Sequence, residues 1–182
     1  MNLIRILFSF MIVSVFSACG NIGASNNDIE DCLNESIAIQ ADYPEYDSAK
    51  DMIDAADCIL SGSIIDSSCE TLDIKTEKGK DSSTGLEKSS KIPYTIYKIN
   101  IKKLYKGNIK DKTISIKCLG GTVDGDVYSS GMTEQLSKGK DYLFLIKTFE
   151  DTYPSLINET QSVYDLNNRD DEKLGEILKL LK

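Results

Sequence analysis

The side chains able to do chemistry in this 182-residue chain are five cysteines, nine tyrosines and several close-set carboxylates, with no histidine. Without an imidazole there is no Ser-His-Asp triad, no Cys-His pair and no histidine-bound metal. No two cysteines stand at a Cys-x-x-Cys spacing, so a zinc centre is not expected either. Asp165, Asn167 and Asp171 alternate as the oxygen donors of a calcium loop do. Arg169 holds the fifth position, however, and Asp170 stands where such a loop needs glycine, so the run reads as a turn and a helix N-cap. Gly120-Gly121 leads into strand-like residues rather than a helix, which makes it a tight turn and not a phosphate cradle. These exclusions leave a non-enzymatic chain with no metal or organic cofactor. The residues left for binding are Tyr94, Tyr97 and Tyr128, aromatic faces for sugar or peptide, with Asp124 and Asp126 as surface oxygens. For the tyrosines the competing role is core packing, and for the two aspartates a plain turn.

Cys32, Cys58, Cys69 and Cys118 leave three full disulfide pairings open. Cys58 opens an apolar run and Cys118 ends one, which suits buried thiols. Cys32 and Cys69 lie in polar surroundings, where a disulfide would stabilise an exported domain.

The elements that must position these residues are short. Ser48 is an N-cap for a helix to Ala56, with Met52, Ile53 and Ala56 on one face. Cys58 to Ile65 is an apolar strand with Gly62 as a bulge. Residues 75–91, dominated by Lys, Glu, Gly and Ser, read as a long loop. Tyr97, Ile99 and Ile101 alternate with polar residues, as do Ile114, Ile116 and Cys118, and Lys106-Gly107-Asn108 turns one strand into the other. Tyr142 to Phe149 is a continuous apolar run expected as a central strand, and Ser162 to Leu166 adds another. Asp170 to Lys182 is an amphipathic helix with acids first and lysines last. The expected fold is therefore mainly β: a small OB-like antiparallel barrel or curved sheet, a short helix before it and a C-terminal helix.

The first residues carry an address. Met1 to Arg5 is a short positive region, Ile6 to Phe16 is apolar, and Phe16-Ser17-Ala18-Cys19 closes the segment. This resembles the lipobox of bacterial prolipoproteins, with Phe16 where the family usually has Leu, Val or Ile. The resemblance implies removal of residues 1–18, acylation of Cys19 and attachment to the cell membrane, facing outside the cytoplasm. An ordinary secretory signal cut near Ala18 is the alternative. Residues 19–47 would form a polar tether and 48–182 a single β-rich domain. The chain carries 21 basic and 29 acidic residues, a net charge of −8, and its leader holds one of only two arginines. That balance argues against nucleic acid and against electrostatic attachment to anionic lipid, so the acyl chain would be the membrane partner.

A second resemblance covers roughly residues 50–166. Tyr94-Thr95, Leu104-Tyr105-Lys106-Gly107, Gly120-Gly121 and Lys138-Gly139-Lys140-Asp141-Tyr142-Leu143-Phe144-Leu145 are similar to motifs of poorly characterised exported bacterial domains with an OB-like barrel. It implies a fold more than an activity. The expected function is an interaction module for an envelope protein or glycan. The alternatives are a protease inhibitor, since OB-like barrels also occur in the tissue inhibitors of metalloproteases, and a small-ligand-binding lipoprotein.

Overall fold

The structure is a computed structural model that describes residues 36–39, 41–73, 91–130 and 136–182. Cys19, Cys32, the expected leader and almost all of the loop expected at 75–91 lie outside the described residues. The described elements are β1 (Ser36–Ala38), α1 (Ala49–Ala55), β2 (Cys58–Asp73), β3 (Lys91–Lys106), β4 (Thr113–Leu119), β5 (Gly121–Val123), β6 (Asp126–Ser129), β7 (Asp141–Lys147), β8 (Ser155–Leu156), β9 (Val163–Asp165) and α2 (Glu172–Leu180).

Local signals fix the helix ends. The Ser48 side chain accepts from Asp51 N and starts α1, and Asp171 accepts from Leu174 N and starts α2. Lys106 Nζ reaches the last turn of α1, donating to the carbonyls of Ile53 at 2.7 Å and Asp54 at 3.3 Å. A cation there satisfies open carbonyls and complements the negative end of the helix. The Asp165 to Asp171 run is the expected turn and cap, with Asp165 Oδ1 accepting from Asn167 N at 2.9 Å.

Strands β2, β3, β4, β8 and β7 are bonded in that order, and β7 pairs back onto β2. Five strands thus close a small OB-like barrel. Its neighbours are antiparallel except β4 and β8, which run parallel through the one pair Lys117 and Ser155. Strand β9 continues the sheet past β7, while β1, β6 and β5 form a second sheet. The β5–β6 hairpin turns through Asp124 (φ 54°) and Gly125 (φ 95°), the left-handed pair that a two-residue hairpin requires.

Two cores lie on either wall of the barrel. Leu60, Tyr97, Ile99, Ile116 and Phe144 fill the interior. Met52 of α1, Leu174 and Ile177 of α2, and Ile59, Leu143 and Leu145 form the second core, on the outer face of β2 and β7. Strand β7 is therefore apolar at every position from Tyr142 to Ile146, because alternate residues serve different cores. The run ends sooner than its composition suggests: β7 stops at Lys147, and Phe149 lies on the following loop, half exposed.

The described residues 36–39 and 41–47, expected within the tether, are docked. β1 pairs with β6 in parallel, Asn158 Nδ2 donates to Pro44 O at 2.8 Å, and Tyr46 N donates to Gln161 Oε1 at 3.0 Å. Ile37, Ile39, Tyr43 and Tyr46 are the half-buried side chains of this segment, while Ala38 and Pro44 stay exposed. The folded domain thus begins no later than Ser36.

Asp57 ties the start of β2 to the end of β7. Its carboxylate accepts from Thr148 N at 2.9 Å, Lys147 Nζ at 2.9 Å and Thr148 Oγ1 at 3.1 Å. The Thr148 backbone bond first, then the Lys147 bond, hold its pKa below the usual carboxylate range. A depressed folded value gives stability that is complete above the unfolded pKa and lost as pH falls through the folded one. Asp57→Asn should lower stability by less than about 1 kcal/mol near neutrality, since the pair is solvent-screened. Urea melts of the two proteins should converge in acid; a gap that persists there would exclude the carboxylate as its source.

Candidate functional site

Alternation along β3 and β4 sorts their side chains onto two faces. Tyr97 and Ile99 join Ile116 and Cys118 in the interior, while Tyr94, Lys117 and Leu119 point outward. The outward set faces residues 41–43 and the loop 148–154 that links β7 to β8. Together they enclose a cleft of about 260 Å³ at the seam where the barrel closes, lined by Tyr43, Tyr94, Lys117, Phe149 and Glu159 among others. A second hollow of about 420 Å³ adjoins it and shares Tyr43, Phe149, Ser155 and Leu156.

Lys117 is held between two rings. Its Nζ lies 5.4 Å from the Tyr94 ring centroid and 5.2 Å from that of Phe149, and it donates to Thr152 Oγ1 at 3.2 Å. Burial pushes its pKa below the ordinary lysine value, because a desolvated ammonium is costly. The negative faces of the two rings offset part of that cost. Burial likewise raises the Tyr94 phenol, with a smaller contribution from the charge of Glu159.

Glu159 forms the other end of the cleft and is only 5 % exposed. Its Oε1 accepts from Leu119 N at 2.9 Å and from Tyr43 Oη at 2.9 Å, and its Oε2 accepts from Ser130 Oγ at 2.8 Å. The loop that presents it is stiff: Asn158 Oδ1 accepts from Thr160 N, Thr160 Oγ1 and Gln161 N. Burial first, then the carboxylate, raises the Tyr43 phenol far above its usual value. This carboxylate is committed to joining the docked N-terminal segment, β4 and the end of β6.

The residues singled out from sequence are dispersed. Tyr94 lines the seam cleft. Tyr97, expected on a binding surface, is instead a core residue at 5 % exposure, its phenol pushed up to about 12 chiefly by burial. It sits one strand position out of phase with an outward face. Tyr128 shares with Tyr97 a separate small hollow of about 120 Å³ near Gly120 and Gly121. Asp124 lies in the hairpin turn and Asp126 follows it, and neither lines these hollows, which is the plain turn role.

Cys58, Cys69 and Cys118 carry free thiols, Cys58 and Cys118 buried and Cys69 exposed. Cys69 and Cys118 each stand opposite Thr95, one from β2 and one from β4. Two strand spacings separate them, about 10 Å, beyond the reach of a disulfide. Among the described residues no group of three or more Cys, Asp or Glu could hold a metal ion. No described helix is long and apolar enough to cross a membrane.

Sequence reasoning missed Lys117, Phe149, Thr152, Tyr43 and Glu159. One signal was present for Phe149: Lys147-Thr148 separates it from the apolar run. No protein-family model matches this chain, and no curated protein is significantly similar to it.

Proposed function

We propose that the chain is a lipid-anchored, extracytoplasmic binding module whose contact surface is the seam cleft. The observation that carries this reading is the Tyr94–Lys117–Phe149 stack on the outside of a closed OB-like barrel. Barrels of this kind place ligands on the second and third strands and on the loop between the fourth and fifth. Here those are β3, β4 and the 148–154 loop, which supply Tyr94, Lys117 and Phe149. Binding is favoured over catalysis by the state of Glu159, whose oxygens hold three structural donors. The address supports the same reading. Acylation at Cys19, implied by the Phe16-Ser17-Ala18-Cys19 motif, would keep the module at the membrane surface, where its partner would be an envelope protein or glycan.

A photo-crosslinking amino acid at position 149 should capture one envelope component in intact cells. The same probe at exposed Leu180 on α2 should not. Membrane recovery and capture should both fall with Cys19→Ser. Equal capture from the two positions would reject the cleft as the contact surface, and a wild-type protein found unacylated in the soluble fraction would reject the anchor.

A further inference from the structure

We propose that the seam cleft takes a sugar bearing a single carboxylate, with the acid on Lys117 and the pyranose face against Phe149 and Tyr94. This rests on the binding-module reading above and names its ligand class. The first argument is charge. Lys50, Lys102, Lys140, Lys147 and Lys173 pair with carboxylates; the other described lysines are exposed except Lys106, which caps the carbonyls of α1, and Lys117. Lys117 forms no ion pair among the described residues; its ammonium has one side-chain hydrogen bond, to Thr152, and two ring faces. In a chain of net charge −8, a partly buried lysine without an acid is a place for a ligand's acid. Three N–H donors on an ammonium leave two beyond Thr152 for a carboxylate.

The second argument is polarity along the cleft. Lys117 and Leu119 are two residues apart on one face of β4, about 7 Å. Glu159 accepts from Leu119 N, so a negative group occupies the end opposite the ammonium. One carboxylate fits at the Lys117 end, and a second would meet Glu159. This disfavours nucleic acids and polyphosphates, which need a row of cations. The third argument is shape. Aromatic faces with the hydroxyls of Tyr43, Thr152 and Ser155 around them suit the apolar faces and hydroxyl rim of a pyranose. An extended peptide would need open backbone, and at this seam Lys117 N is already bonded to Pro154 O at 2.8 Å.

The test is titration calorimetry on the full chain, purified from membranes in neutral detergent. The probes are a trisaccharide ending in glucuronic acid, its methyl ester, the glucose-ended counterpart and an acidic tripeptide. The acidic sugar should bind best, with affinity falling about tenfold on esterification, on Lys117→Met and on Phe149→Ala. Lys117→Arg should retain most of the binding. Circular dichroism melts matching wild type would show that the variants fold, as expected for side chains outside both cores. Equal binding of ester and acid, or no effect of Lys117→Met, would overturn the carboxylate assignment. Preference for the acidic tripeptide would overturn the sugar. Absence of binding to every probe would overturn the ligand class, while capture from position 149 decides separately whether the cleft is a contact surface.

Discussion

Glu159→Leu is expected to destabilise the domain by about 3 kcal/mol, a shift of roughly 6–12 °C in melting temperature for a domain of this size. Leucine matches the volume but accepts no hydrogen bond. The buried Leu119 N–H would lose its partner, and an orphaned buried donor costs about 1–3 kcal/mol. The hydroxyls of Tyr43 and Ser130 would also lose a charged acceptor, a bond of about 1.5–3 kcal/mol when intact, although both are only partly buried and can turn to water. Glu159→Gln separates charge from geometry. Its carbonyl oxygen can still accept from Leu119 N and Tyr43 Oη, and its amide can donate to Ser130 Oγ, so the loss should stay near 1 kcal/mol. Differential scanning calorimetry of the three proteins reads this directly. Equal losses for Leu and Gln would mean that the charge itself stabilises the seam; no loss for Leu would remove Glu159 as its clasp.

The seam also marks where sequence stops being informative. Strands β3 and β4 were legible because alternation is local: Tyr97, Ile99 and Ile116 declare an inward face within a few residues. The helices were legible through Ser48 and Asp171, whose caps act over three residues. Closure was not. It depends on β8, two residues long and parallel to β4, too short to show a period. The burial of Glu159 depends on donors 116, 40 and 29 residues away, so nothing around position 159 announces it. The candidate site follows the same division. Tyr94 is named from sequence only as an aromatic alongside Tyr97 and Tyr128, without a face assigned to it. Lys117 is the diagonal neighbour of Tyr94 across the β3–β4 ladder, Phe149 meets the pair only when the barrel closes, and Tyr97, one register step from outward, became core.

Gly62→Ala should weaken the fold by about 3 kcal/mol, whereas Gly175→Ala should strengthen it by about 0.5–1 kcal/mol. The same methyl group has opposite consequences because the two backbones have different neighbours. Gly62 lies at a register shift in β2, the strand paired with β3 on one edge and β7 on the other. A Cβ there would stand 2.5 Å from Asn100 O and 2.6 Å from Ile99 Cγ2. The first is backbone and the second belongs to a fully buried side chain, so neither yields without moving β3 off the ladder. Gly175 sits within α2 and would meet nothing within 4 Å. There alanine only narrows the unfolded ensemble and favours the helix. Urea denaturation midpoints of wild type and the two variants, at unchanged slope, give both signs in one experiment. A neutral Gly62→Ala would mean that β2 and β3 can part at this bulge without cost, and the closed barrel that presents Lys117 would not depend on their close approach.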